Sequence, residues 1–461
     1  MSMKKQKQRK PADLFVPTHR LPKSPGHPFY EKLNKVLGKE GFDEFVEDLC
    51  EPYYAARQGR PSIPPGVYFR MLMVGYFEGL DSERSIAWRV ADSLALREFL
   101  GYDLDEQTPD HSSLSRIRQR LPLEVHEEVF NWVLFVLAKA GLIQGKTIGV
   151  DATTLEANAA MRSIVRRDTE ESYPGYLERL AKESGIQGPT REDRAKLDRK
   201  RPNKVSNKDW EHPHDPDAGI AKMKDGRTHM AHKVEHAVDL KTNAIVAVTL
   251  STGEEGDTDS LCWTLLEAQT NLERLAKDDD VAGKIYKQSV SEVVTDKGYH
   301  SNAVLVDLKD SNIRSYISEP DRGRRKWKGK QEEQAAVYAN RRRIKGKRAQ
   351  VLRKDRAEQV ERSFNHAYDI GGMRRVHLRS RGNILKRLVI HIGACNLGLL
   401  MRTFIGVGTP RAFHDIRRIF VCIFVNGKTL LRNLLKPILG LRRAIFKIGA
   451  HKLFGPIDTT R

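Results

Sequence analysis

An aspartate closes each of two short apolar runs, Thr147-Ile-Gly-Val-Asp151 and Val293-Val-Thr-Asp296, and a glutamate, Glu361, follows in a stretch of helical periodicity. One aspartate at a strand end is ordinarily a cap or turn residue and carries no chemistry by itself. Three hard-oxygen carboxylates from separate elements are a different matter. They are what a pair of divalent cations needs in order to activate one phosphodiester oxygen and stabilise another as it leaves. Mg2+, or Mn2+ in its place, takes only a few carboxylates and keeps part of its water, so Asp151, Asp296 and Glu361 would serve as metal ligands and as the catalytic set. Glu358, three residues before Glu361 and on nearly the same helical face, is the alternative third ligand.

The elements that must position these groups follow from periodicity. Apolar residues recur at helical spacing from Phe29 through Leu37 and from Phe42 through Leu49, and again in Val67 to Phe77, after the turn Arg60-Pro-Ser-Ile-Pro-Pro65. Ser82 and either Asp110 or Ser112 stand where further helices would be capped. Residues 29–142 therefore read as an all-helical N-terminal domain, compatible with helix-turn-helix DNA reading and equally with a structural cap. From Lys146 the pattern changes. Strands are expected at Thr147 to Asp151, Val293 to Asp296 and Ile313 to Ser318, with a hairpin of Lys233 to Leu240 and Ala244 to Leu250. Helices are expected at Asp259 to about Lys277, Asn302 to Leu308 and Arg356 to Tyr368. The order is three strands, helix, strand, helix, strand, helix, which is that of an α/β RNase H-like core. That core would occupy 143–405, interrupted by insertions at about 152–232 and 319–354, between a basic leader (1–28) and a basic helical tail (406–461).

Charge points to the partner. Lys and Arg number 80 against 60 Asp and Glu, a formal charge of +20 in 461 residues, which favours a polyanion, nucleic acid before anionic membrane. Both insertions are rich in cations. The second holds Arg341, Arg342, Arg343, Lys345, Lys347 and Arg348 close to a catalytic element, which suggests phosphate contacts, the plainer alternative being a solvated charge run. Four scattered cysteines suggest neither a zinc finger nor a disulfide framework and fit a reducing compartment. No apolar run of signal-peptide length follows the basic leader, and the apolar stretch Leu388 to Met401 is shorter than the roughly 20 residues of a membrane span. It reads as a buried core helix, and the chain as a cytoplasmic, nucleoid-associated protein with no membrane partner.

Taken together, these blocks resemble those of a known family. Ile148-Gly-Val-Asp-Ala-Thr-Thr-Leu-Glu-Ala-Asn158, Thr295-Asp-Lys-Gly-Tyr-His300 and Val360-Glu-Arg-Ser-Phe-Asn-His366, with Gly371-Gly-Met-Arg-Arg375 after it, are similar to the three signature blocks of bacterial insertion-sequence DDE transposases. The resemblance extends to Gly59-Arg-Pro-Ser-Ile-Pro-Pro65, Thr108-Pro-Asp-His-Ser-Ser-Leu-Ser115, Asn383-Ile-Leu-Lys-Arg387 and Asn396-Leu-Gly-Leu-Leu-Met-Arg402, so it covers roughly residues 30–402. It implies binding of terminal inverted repeats, metal-dependent strand cleavage, and joining of the freed 3′ hydroxyl to target DNA. The partners would be double-stranded DNA, both transposon ends and target, and a second copy in a homodimer. It also implies a phosphate-gripping arginine near the catalytic glutamate, for which Arg356 is placed, and a lysine where this chain has Tyr368.

Other residues receive plainer readings. His212, His214, Asp215, Asp217, His229, His232 and His236 lack an HExxH pattern and would line a nucleic-acid groove or lie at the surface, with Asp215-Pro-Asp217 supporting the site. Tyr299 is expected to pack beside the metal site. Trp327 would stack on an unpaired base or on its own domain. Two rival functions remain at this level: an RNase H-like endonuclease that cuts without joining, and a catalytically silent, transposon-derived DNA-binding protein.

Overall fold

Among the described residues, the first third of the chain holds seven α-helices, five of them where apolar spacing or a capping residue marks one. In the computed structural model, which describes residues 26–55, 62–201, 205–223, 226–321, 323 and 325–413, they are α1 (Pro28–Lys39), α2 (Phe42–Cys50), α3 (Pro65–Glu78), α4 (Glu83–Asp92), α5 (Leu94–Leu100), α6 (His111–Arg120) and α7 (Leu123–Lys139). The leader before residue 26 and the tail beyond 413 lie outside the described residues. The starts are chemically marked. Proline opens α1 and α3, where a missing N–H costs nothing. Ser82 forms a reciprocal capping box with Ser85, and of the two expected caps of α6 it is Asp110 that accepts the Ser112 N–H. Helix α3 is buried nearly all round, which places it at the centre of this layer.

One six-stranded mixed sheet follows. Strand β1 (Thr147–Glu156) is succeeded by the short β2 (Val165–Arg166), helices α8 (Tyr173–Glu183) and α9 (Arg191–Lys200), and short β3 (Trp210–Glu211) and β4 (Gly219–Lys222). Then come β5 (Thr228–Asp239), β6 (Ile245–Thr252), α10 (Asp257–Ala276), β7 (Glu292–Thr295), α11 (Asn302–Asp310), β8 (Arg314–Ile317), α12 (Gln331–Ile344) and α13 (Lys347–Phe364). A π-helical turn, Asn365–Ile370, extends α13, and α14 (Arg381–Ile405) follows. In the sheet, β8, β7 and β1 run parallel, β5 is antiparallel to β1, and β4 and β6 share the far edge of β5.

Several boundaries differ from expectation, among them the start of α13, which lies at Lys347 and not at Arg356, inside the stretch expected to be an insertion. Strand β1 does not stop at Asp151, and β5 starts before Lys233, because the two pair with each other from Ile148↔Asp239 to Glu156↔Ala231. Residues between them, expected to lack apolar organisation, enclose a small core of Ala157, Ile164, Trp210, Ala218 and Met230, with Tyr173 and Tyr176 edge-on to Trp210. Those apolar residues are too scattered in sequence to show a period. Lastly, α14 has 25 residues, longer than the expected apolar core. By length and composition it is the one helix among the described residues able to cross a membrane, yet 67% of its most apolar window is buried inside the protein. It packs on α7, α3 and β6 as a core helix. Its bounds lie close to the helical apolar stretch Ile384 to Phe404 legible in the sequence, and Arg387 within it has a buried guanidinium that donates to the Leu72 carbonyl at 2.8 Å.

Candidate active site

Parallel pairing of β1 with β7 sets the site. The register Thr147↔Glu292, Ile148↔Val293, Gly149↔Val294 carries on to bring Asp151 alongside Asp296, the residue that follows β7. The Asp296 carboxylate caps the next turn by accepting the Gly298 N–H at 2.8 Å. A third acid joins them that sequence reading did not single out. Asp257, the first residue of α10, lies so close to Gly298 that a Cβ there would sit 2.5 Å from Asp257 Oδ2 and 3.1 Å from Asp296 Oδ1. Asp257 stands far from the other two in sequence and in no recognisable motif, so only its seat at the start of α10 could have suggested it.

Burial pushes the Asp151 carboxyl up to about 6; Arg356 and the Ala152 N–H pull it down, while Asp296 and Asp257 raise it further. The arginine is the nearest cation, with Arg356 Nη2 at 2.8 Å from Asp151 Oδ2. Its position follows from helix α13, which packs so tightly on β1 that a Cβ on Gly149 would meet Val360 at 3.1 Å and Leu240 at 2.6 Å. Gly149 therefore lets the helix bearing Arg356 and Glu361 approach the strand bearing Asp151.

Glu361 follows Val360 on α13 and faces solvent, as does Glu358, which pairs with Arg362 at 2.6 Å. Structure thus brings Asp151 and Asp296 together and puts both glutamates on the exposed side of the helix that contacts Asp151. Among the described residues no group of three or more His, Cys, Asp or Glu is close enough to hold a metal ion.

Histidines expected at the surface or in a groove are in part buried. His236 is the ladder partner of Asp151, wholly enclosed, and bonded to Ser363 Oγ at 2.9 Å and the Tyr368 hydroxyl at 2.6 Å. Burial pushes it down to about 3, so it is neutral. Tyr368 is likewise buried. The nearest cation to its ring is Arg374, at 5.6 Å, which also donates to Thr153 Oγ1 at 3.0 Å, on the same face of β1 as Asp151. His232 and Asp215 form a buried pair at 3.2 Å. Asp215 and Asp217 accept the N–H groups of Ser380 and Arg381, so this segment anchors the start of α14. His212 is buried as well, while His214 is exposed and His229 lies 3.8 Å from Glu156.

On the other face of β5, Lys233 and Glu235 are buried together at 3.2 Å. Lys233 also meets Asp257 at 2.8 Å and Ser260 Oγ at 2.8 Å. Glu235 accepts from Thr264 Oγ1 at 2.7 Å and from Tyr299 at 3.0 Å, which makes Tyr299 the packing residue it was expected to be and ties it to the site through Lys233 and Asp257.

With this geometry in place, comparison with known families adds one finding. Residues 18–120 match the family model "Transposase domain (DUF772)". The match supports a transposase family. It spans α1 to α6 and ends before β1, so it bears on the helical layer. No curated protein matches the chain.

The basic residues predicted to meet DNA divide into two sets. Arg341 grips Glu319 through two bonds of 2.6 and 2.8 Å, Arg343 donates to the Ser315 carbonyl at 2.9 Å, and Arg348 meets Glu292 at 2.5 Å. Arg343 thus ties α12 to β8 and Arg348, though exposed, reaches β7 from α13, while Arg341 holds the segment just after β8. Arg342, Lys345 and Lys347 are exposed. Trp327 packs against Tyr338 with ring centres 6.1 Å apart, the own-domain alternative.

Proposed function

We propose that the chain is an insertion-sequence transposase with an RNase H-like DDE catalytic core, which binds terminal inverted repeats, cleaves the strand and joins the freed 3′ end to target DNA. The observation that carries this reading is the pair Asp151, within β1, and Asp296, just after the adjacent parallel β7, in a chain whose first helices match a transposase domain. The sheet supports it too: β5 antiparallel to β1, then β7 and β8 parallel, with α13 across the strand that bears the first aspartate.

The donor set suits a hard divalent cation in kind, since it consists of carboxylate oxygens, and Asp151 is raised first by burial and then by the charges of Asp296 and Asp257. Asp151 and Asp296 would hold Mg2+ or Mn2+, with Glu361 as the third ligand and Glu358 as its alternative. The cations would supply activation of the attacking oxygen and stabilisation of the leaving one. The chain's own residues do the rest. Arg356 balances the acids and is the phosphate contact nearest to them, while exposed Arg342, Lys345 and Lys347 grip the DNA backbone further out. One such site per chain and two element ends make a homodimer the smallest assembly able to process both ends, acting in the cytoplasm on the nucleoid.

Asp151→Asn tests the reading. Cleavage of duplex DNA flanking the coding sequence, assayed with Mg2+, Mn2+ and Ca2+, should fall at least about 100-fold while DNA binding persists. Unchanged cleavage, or cleavage independent of metal, would sink it. Failure of the wild-type chain to integrate a precut 3′ end would reduce it to an endonuclease.

A further inference from the structure

We infer that His236 is a positioning residue for the carboxylate site: it staples α13 and its π-turn to the strand pair at the level of Asp151. The inference rests on the reading of Asp151 as a site residue. His236 and Asp151 are directly opposed across the β5/β1 ladder and so share one face of the sheet, the face covered by α13.

Hydrogen-bond accounting assigns the ring's tautomer. Ser363 Oγ donates its own proton to the Val360 carbonyl at 2.7 Å, so toward His236 it can only accept, and Nδ1 carries the hydrogen. The bare Nε2 then accepts from the Tyr368 hydroxyl at 2.6 Å. Phe364 and Tyr368 hold the ring from the side, with centres 4.8 and 5.3 Å away.

What the ring fastens is the unusual part of the helix. Ser363 belongs to the last turn of α13 and Tyr368 to the π-turn Asn365–Ile370. A π-turn is a rare, wider interruption of an α-helix, often found at functional sites. From the opposite side His391 Nε2 donates to the Ala367 carbonyl at 2.7 Å. The helix is thus tied to the strands at two levels, through Arg356 to Asp151 and through Ser363 and Tyr368 to His236. Glu361 lies between those two ties. Rotation or slippage of α13 would move Arg356 and Glu361 relative to Asp151, and the neutral ring prevents it without adding charge beside the acids.

The test uses the full chain with His236→Phe, His236→Gln and Tyr368→Phe. Thermal unfolding, binding of Mn2+ without DNA, and cleavage of duplex DNA flanking the coding sequence are measured for each. Phenylalanine fills the space and removes both ring nitrogens. It should slow cleavage at least tenfold per folded molecule and weaken Mn2+ binding, with DNA affinity within twofold of wild type. Glutamine keeps an acceptor for Tyr368 and should restore part of the loss, and Tyr368→Phe should fall between the two. Equal unfolding losses in all three with unchanged cleavage and Mn2+ binding would overturn the inference and leave His236 a core residue. If the wild-type chain neither binds Mn2+ nor cleaves, the metal reading itself fails and takes this inference with it; wild-type activity with an unaffected His236→Phe variant rejects the inference alone.

Discussion

The two faces of the sheet beside Asp151 are both polar and both buried, but they are built in opposite ways. Toward α10, Lys233 and Glu235 are buried as charges, and each is met by several partners: Asp257, Ser260, Thr264 and Tyr299. Toward α13, one residue further along β5, His236 is buried neutral and bonded once at each nitrogen. A charged network in low dielectric depends on every member, because removal of one leaves the others desolvated and unpaired. A neutral network loses less per bond and adds no field. The difference teaches that the charged face sets the stability of the strand pair, while the neutral face sets where α13 sits.

The largest effect should come from breaking the charged face. Lys233→Met leaves Glu235 buried without its cation and should cost about 3–5 kcal/mol in urea unfolding. A loss under about 1 kcal/mol would mean that water enters this face and that the comparison is mistaken.

Acid should strain the neutral side next. Burial pushes His391, which holds the π-turn, down to about 3, and His126, between Tyr68 and the Pro122 carbonyl, down to about 4. In the unfolded chain both take up protons near pH 6.5, the ordinary histidine value. Between that pH and their folded values the unfolded state binds more protons, so stability falls as pH drops, by up to about 1.4 kcal/mol per pH unit for each. Asp151, held up at about 6, works in the opposite sense but is outnumbered. Thermal midpoints should therefore decline from about pH 6.5 downward; a flat profile would place these rings in contact with water.

The smallest effect on stability belongs to residues on neither face. Arg342→Ala and Lys345→Ala, both exposed, should leave unfolding within about 0.5 kcal/mol of wild type. Each should reduce the slope of log DNA affinity against log salt by about one. Slopes that stay unchanged would remove this segment from the DNA interface.

Much of the architecture was legible because it is local. Helix caps at Ser82 and Asp110, the prolines that open α1 and α3, and the apolar runs that become β1, β7 and β8 announce themselves within a few residues. Boundaries failed where pairing across long separations extended an element, as in β1 with β5, and where a highly charged stretch hid a helix start, as at Lys347 in α13. Basic segments were harder still. Arg341 and Arg343 look in sequence like Arg342, and only their distant partners Glu319 and Ser315 turn them from surface charges into fasteners.

By itself the sequence determined most helices of the N-terminal layer, the cores of β1, β7 and β8, and the placing of an aspartate within or just after two of those strands, since strand period, turn chemistry and residue type act over neighbours. Tertiary structure decided that Asp257 stands with Asp296, that Arg356 answers Asp151, and that His236 is a buried strut rather than a surface ligand. Those outcomes depend on burial and on contacts between residues tens to hundreds of positions apart. A side chain's charge state and role follow from the groups packed around it, and no local pattern records which groups those will be.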